Sequence, residues 1–496
     1  MRGILERIAR HAAADPRQLA VLDDQTRLDY GELQRAVEQA AAALGTARVA
    51  LLLDNSCAWA VIDLAIADRG GVAIPLPPFF TDTQARHLLA DATPDLIVSD
   101  QPQRIAELTG QSATAQLEVA GRTLHLFACT PAAQRPLPPG TCKITYTSGT
   151  TGQPKGVCLS GETLDQVTSA LASAADARPL ERSLSLLPLS TLLENIGGIY
   201  VPLSGGCSAA LPALASCGFS GSSAVQPEKL VAAFHRYAPS ATILVPQLLK
   251  LLVECLAAGA PMPATLRFVA VGGAPCAETL ICRAWQLGLP VHEGYGLSEA
   301  GSVVSLNRPG QQRPGSVGKP LPHVRVELAD DGEILVAGEL FGGYLGDDLP
   351  PPAAWPTGDL GRFDADGYLH VTGRKKTAFA TAFGRNVAPE WVESELTAGP
   401  AVMQAAVFGE ARARNVAVLV AHPTANDEQI EAAVAAANAR LPDYARVAAW
   451  CRANAPFTAG NGMARGAGTP DRAAIARHYA SELESLHARE VLDVDP

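Results

Sequence analysis

Between Tyr146 and Val157 the chain reads YTSGTTGQPKGV. Thr147, Ser148, Thr150 and Thr151 are interleaved with Gly149 and Gly152, and Lys155 follows. A run this free of bulky side chains lets backbone N–H groups converge on an anion as a nest. The hydroxyls add donors and the ammonium adds a charge. The chemistry it suits is the binding of phosphate. It is not a Walker A loop, because the GxxxxGK[ST] spacing is absent. Taken alone, a glycine-rich turn of this kind is equally well a structural bend, so the reading depends on what accompanies it.

Four further stretches accompany it: Gly272–Pro275 (GGAP), Glu293–Glu299 (EGYGLSE), Thr357–Asp359 (TGD) and Gly373–Lys376 (GRKK). With the first string, and in this order, they resemble the signature of the adenylate-forming superfamily: acyl-CoA synthetases, luciferases and nonribosomal adenylation domains. The resemblance covers roughly residues 5–460 and is greatest toward fatty acyl-CoA synthetases. It implies ATP-dependent adenylation of a carboxylic acid to acyl-AMP, with Mg2+, and then transfer to a thiol of CoA or phosphopantetheine. On that reading Gly273, Ala274 and Pro275 border the adenine and the acyl pocket. Glu293, Gly294, Tyr295, Gly296 and Ser298 belong to an aromatic–Gly–x–Ser/Thr–Glu motif, in which Tyr295 lays its ring against adenine. Glu299 offers the oxygen ligand that Mg2+ prefers. Asp359 accepts from the ribose hydroxyls, and Arg374 donates to ribose or phosphate. Lys376 is the hinge of a rotating C-terminal domain, and Gly384–Pro389 (GRNVAP) is the loop that rotation brings to the thiol tunnel. Lys155, Glu299 and Arg374 form the expected catalytic set, whose work is positioning and charge neutralisation. Each charged residue alone has an ordinary solvated or capping alternative; their joint occurrence carries the reading.

Two positions depart from the family's pattern. Members usually carry a Lys, soon after an Asn-Gly turn near the C-terminus, that touches the substrate carboxylate and the α-phosphate. Here the stretch is Asn461–Arg472 (NGMARGAGTPDR), Thr469 stands in that place, and no Lys follows Lys376. A short hydroxyl does not replace a point charge; Arg465 and Arg472 are the cations at hand in this stretch. In Pro188–Glu194 (PLSTLLE), Thr191 stands where many relatives have His. By analogy with the family the substrate is a fatty or other apolar acid, with aryl acids as a further option. Two other functions remain open at this point. One is an acyl-AMP ligase that loads an acyl carrier protein or forms an amide. The other is a catalytically impaired nucleotide-binding homologue that lacks the C-terminal Lys.

Such motifs need a scaffold. Helical spacing runs over Tyr30–Leu44, and Arg48–Leu53 reads as a buried strand. A helix over Trp59–Asp68 and a strand over Gly71–Pro75 follow, and strand signals recur at Asp95–Val98, Ser185–Leu187, Ala241–Val245 and Arg267–Val271. This alternation predicts a layered α/β fold. From 323 to 372 short strands separated by Asp-Gly turns predict antiparallel pairing. After it come a helix at Pro389–Leu396, a strand at Val416–Ala421 and a Gly/Ala-rich segment at 457–469 expected to be a mobile loop. The expected fold is therefore α/β: a large N-terminal domain of layered sheets and helices with a small β-barrel-like part, plus a small mobile α+β C-terminal domain. The expected boundaries are 1–373 for the ATP- and acyl-binding domain and 374–496 for the lid.

Composition sets outer bounds. The 496 residues suit two or three domains. With 39 basic and 50 acidic residues the charge is −11, which gives no reason to expect nucleic acid as a partner. Any phosphate site must therefore be local. The opening residues MRGILERIARHA have no apolar signal core, and no run approaches the ~18 apolar residues of a membrane helix. Ten Cys are scattered without a CxxC pair, as packed thiols in a reducing cytoplasm would be.

Overall fold

Arg48–Leu52, Val72–Pro75 and Leu96–Ser99 are short apolar runs, buried almost throughout. Such strands suit parallel pairing beneath helices on both faces. In the computed structural model, which describes the chain apart from Thr46, 131–133, 148–153, 176–180, 221–223, Asp348, Gly384, 466–468 and 489–496, they form the parallel centre of an eight-stranded sheet. Strands Thr141–Thr147 and Lys155–Ser160 continue it as an antiparallel pair, with Gly343–Tyr344 at its edge. A nine-stranded sheet has a parallel centre too, in which Arg182–Leu184, Ala241–Leu244, Phe268–Val271 and Val291–Tyr295 lie side by side. Helix Cys57–Asp68 is apolar all round and buried from Cys57 to Ile66, so it belongs to the interior. With helices Arg2–Ala14, Tyr30–Leu44 and Gly161–Ala174 it fills one apolar cluster that touches Val49 and Val157 of one sheet and Ala209 and Phe268 of the other. Further helices cover the outer faces.

The hairpin-textured region is a four-stranded antiparallel sheet of Val324–Leu328, Glu333–Gly338, Ala354–Phe363 and Leu369–Arg374. Beyond it, Val402–Phe408, Asn415–Ala421 and Val447–Arg452 form a three-stranded sheet with helices Pro389–Leu396 and Asp427–Asn438 on one apolar cluster. The expected α/β layering with a smaller α+β C-terminal part is what the chain adopts. One strand is displaced. The strand expected at Ser185–Leu187 lies at Arg182–Leu184, where partners on both sides, Ser208–Ala210 and Ala241–Leu244, fix it. Of segment 457–469, expected as a mobile loop, residues 466–468 lie outside the described residues, while Phe457, Met463 and Ala464 are buried in a C-terminal cluster. Among the described residues no helix is long and apolar enough to cross a membrane.

Between the two large sheets lies a polar knot. Lys143 Nζ, almost fully buried, donates to Asp63 Oδ1 at 2.7 Å and Asn195 Oδ1 at 2.5 Å. The Tyr200 hydroxyl donates to Asp63 Oδ2. Asn195–Tyr200 is a π-helical turn, and such turns mark places where an ordinary helix has been re-aimed. Beside it Glu194 is wholly buried, and neither carboxyl oxygen finds a well-formed hydrogen bond among the described residues. Burial pushes this carboxyl from 4.5 up to about 8, and the neighbouring Ser185 hydroxyl only partly offsets the effect. Between these two values the unfolded chain sheds the proton while the folded chain keeps it, so stability falls as pH rises across that window. Glu194→Gln keeps the shape and removes this liability. Its unfolding free energy should therefore decline less from about pH 5 to pH 8, with a gain on the order of 1–2 kcal/mol at the upper end, read by urea denaturation at several pH values.

Candidate active site

Thr147 ends one strand and Lys155 begins the next, and the two residues pair across the ladder. They form the rim of the glycine/hydroxyl loop. Ser148, Gly149, Thr150, Thr151 and Gly152 lie outside the described residues. The Lys155 ammonium stands 4.9 Å from the ring centroid of Tyr344, whose hydroxyl donates to Glu299 Oε1 at 2.7 Å. Glu299 sits in the tight turn Ser298–Ala300, and its carbonyl accepts from Phe341 N at 2.8 Å. Two residues singled out by sequence thus meet through a third, Tyr344, that no sequence motif drew attention to.

Strand Val291–Tyr295 delivers the second group. The Tyr295 hydroxyl donates to Asp359 Oδ2 at 2.7 Å, and Arg374 Nε lies 2.9 Å from Asp359 Oδ1. Asp359 and Arg374 are cross-strand partners, so their meeting is a consequence of register. Burial raises the Asp359 carboxyl, while the Arg374 charge and the Tyr295 hydroxyl draw it back. Burial and the Asp359 charge push the Tyr295 phenol well up, so it remains a donor. Gly296 is required by close approach: an added Cβ would sit 1.6 Å from Ser302 O. Glu293, by contrast, is buried and absent from the cavity wall. Burial, with Glu278 nearby, pushes its carboxyl up to about 8.

A cavity of about 430 Å³ joins these parts. Thr147, Gly272, Gly273, Gly294, Tyr295, Gly296 and Ser298 line one portion of it. Leu192, Ile243, Phe268, Val303 and Leu306 line much of the rest, and Thr191 also reaches it. Ala274 and Pro275 are exposed just beyond Gly273 and are not part of the wall. A pocket of this size with a mostly apolar wall suits a small molecule with a substantial apolar part.

The C-terminal elements approach from the Arg374 side. Gly373 (φ 154°) packs so closely on Ala388 that an added Cβ would come within 2.2 Å of it. Lys376 is exposed in the turn that follows. Lys250 Nζ, on helix Pro246–Ala257, donates to the carbonyls of Thr397 and Val402 at 2.8 and 2.7 Å, which ties the two parts together. Thr469 is exposed. Arg472 is engaged elsewhere: it bonds Glu390 Oε1 at 2.8 Å and Glu393 Oε2 at 2.6 Å. It is thus a half-buried anchor of helix Arg472–His478, paired with two carboxylates, rather than a free cation on a loose loop.

As for a cation, Glu299 offers one carboxylate whose Oε1 is fixed by Tyr344, and among the described residues no other group bonds its Oε2. A single carboxylate completed by phosphate and water oxygens fits the way Mg2+ is usually held. Among the described residues no cluster of three His, Cys, Asp or Glu could hold a metal unaided.

A family model described as AMP-binding enzyme matches residues 8–345, and one described as AMP-binding enzyme C-terminal domain matches 378–491. The chain is similar to long-chain-fatty-acid–CoA ligase FadD15 of Mycobacterium bovis, with 27% identity over 89% of this chain and 88% of that protein. It is similar to indoleacetate–CoA ligase of Aromatoleum aromaticum, with 28% identity over 84% and 87%. In fold it is similar to the anthranilate CoA ligase AuaEII, solved in complex with anthranoyl-AMP, with a TM-score of 0.80 and 19% identity over 97% and 98% of the two chains. The anchor role of Arg472 is open to test. Arg472→Met leaves Glu393 buried without its cation, and the chain should lose about 3 kcal/mol of stability by thermal or urea unfolding.

Proposed function

The chain belongs to the AMP-binding enzyme family, and from that premise we propose that it is an acid–thiol ligase for a fatty or other apolar carboxylic acid. The observation that carries the choice of acid is the cavity, whose mostly apolar wall includes Leu192, Ile243, Phe268 and Leu306 together with Thr147, Gly273 and Tyr295. An apolar tail is desolvated there.

In this reading the loop rimmed by Thr147 and Lys155 receives the triphosphate. Tyr295 lies along the base, and Asp359 accepts from the ribose hydroxyls with Arg374 beside it. Magnesium, when bound, neutralises phosphate charge, and Glu299 is its protein ligand. A carboxylate oxygen of the acid attacks the α-phosphorus in line; that P–O bond forms as the bond to pyrophosphate breaks. A thiolate then attacks the acyl carbon, and AMP leaves with the electrons of the broken C–O bond. The residues bind, orient and exclude water throughout, and none forms a covalent intermediate. Residues 374–496 act as a lid about Lys376, and the Lys250 bonds to Thr397 and Val402 hold it in the orientation seen.

Pyrophosphate release with a panel of straight-chain, branched and aryl acids, with and without CoA, tests the proposal. Apolar acids should give release, and CoA should convert the product to acyl-CoA by mass spectrometry. A panel without pyrophosphate or acyl-AMP rejects ligase activity; acyl-AMP that ignores CoA but loads a carrier protein moves the acceptor instead. A second expectation concerns the missing ammonium. Thr469→Lys should raise the rate of acyl-AMP formation by about tenfold or more, the scale of one well-placed charge, in single-turnover assays. An unchanged rate would mean that residue 469 does not dock at the α-phosphate.

A further inference from the structure

Resting on the ligase reading, we infer that Tyr344 is a positioning residue that fixes the Glu299 carboxylate and the Lys155 ammonium relative to each other across the phosphate site. Its backbone pairs with the Lys155 strand, Tyr344 against Val157 and Gly343 against Cys158, and Leu345 N donates to Gly156 O at 2.7 Å. Its ring is held by two others: Phe341 at 5.2 Å and Trp355 at 5.9 Å, both edge-on, with Phe341 and Trp355 themselves 4.8 Å apart. A ring wedged in this way has little freedom, and its two ends face two functional groups. The hydroxyl donates to Glu299 Oε1 at 2.7 Å, and the ring face carries Lys155 Nζ at 4.9 Å.

The arrangement does more than fill space. The Lys155 residue is exposed, so its ammonium has room to wander, and the ring gives it a preferred place. With Oε1 of Glu299 bound, Oε2 is aimed as the oxygen left for a cation. A residue needed only for packing requires the ring; one that positions the carboxylate requires the hydroxyl.

Tyr344→Phe separates these two. Calorimetric titration with ATP, with and without Mg2+, should show Mg·ATP affinity down about tenfold and metal-free ATP affinity nearly unchanged, the loss expected for a hydrogen bond to a charged acceptor. The Mg2+ concentration for half-maximal pyrophosphate release should rise by a similar factor, with the melting temperature preserved. Tyr344→Leu should weaken metal-free ATP by a further threefold or so as Lys155 loses its ring. In a Glu299→Gln background Tyr344→Phe should change little more, because the two act through one bond. If Tyr344→Phe does not fold, Tyr344→Met, which fills the space without donor or ring, should lower Mg·ATP affinity about tenfold more than it lowers metal-free ATP affinity. Wild-type magnesium dependence in the Phe variant, or an undiminished effect in the Gln background, overturns the role of Tyr344 alone. A wild-type chain that binds no Mg·ATP overturns the ligase reading and this inference with it.

Discussion

One ammonium taken out of water holds the large domain to its shape. Lys143 is about as buried as a lysine can be, and its charge is acceptable there only because Asp63 and Asn195 meet it at hydrogen-bond distance. The Trp59 and Tyr200 rings, 5.7 and 5.2 Å from the ammonium, close the site. Each partner comes from a different piece: Asp63 from the interior helix, Asn195 and Tyr200 from the π-helical turn, and Lys143 from the strand that ends at Thr147. That strand leads into the glycine/hydroxyl loop, and the π turn supplies Gly197 to the cavity wall. The spacing between the Thr147 end of that strand and the Gly197 side of the cavity is therefore set by a charge that has few other places to go. A buried pair of this kind is weak evidence for stability but good evidence for a specified geometry, since removing one partner strands the other.

A second fixed charge organises the opposite wall. Asp359 spends both oxygens, one on Tyr295 and one on Arg374. Tyr295 belongs to the nine-stranded sheet, whereas Asp359 and Arg374 belong to the small antiparallel sheet. The carboxylate thus joins two sheets and also the segment that leads into the C-terminal elements, two residues ahead of Lys376. The site is a place where three layers share hydrogen bonds, and its precision comes from strand register rather than from loops.

This explains what is legible in the sequence and what is not. Helix Tyr30–Leu44 is readable because it carries its own start signal, the capping box of Asp29 and Glu32, and a regular apolar stripe. Helix Pro389–Leu396 has Pro at its first turn. Tyr295, Asp359 and Arg374 are readable because their motifs are local strings. The polar knot is not: Lys143, Asp63, Asn195 and Tyr200 lie far apart in sequence, and each is unremarkable in its own neighbourhood. The strand slip at Arg182–Leu184 has the same origin, since SLSLL alternates equally well in either frame and the choice is made by Ser208–Ala210 and Ala241–Leu244. Tyr344 escapes notice because its partners, Lys155 and Glu299, are long-range in sequence. The exposed Thr469 and the engaged Arg472 show the converse: sequence position alone does not say which cation in a stretch is available.

The remaining question is how a chain of net charge −11 keeps that charge away from the surroundings of its cavity. The buried acids near it give an answer. Burial holds Glu194 and Glu293 up at about 8, so at neutral pH both keep their protons and add no repulsion. Asp359 is charge-matched by Arg374, and Glu390 and Glu393 share Arg472. Glu299 then stands as the acid whose contacts leave an oxygen for a cation, with the Lys155 ammonium across the Tyr344 ring from it. Excess acidity is spread over the surface, where water and salt screen it, while the interior is kept close to neutral by protonation and pairing. The electrostatics beside the cavity are therefore set locally, by Lys155, Arg374 and Glu299, and the sign of the whole molecule has little to do with them.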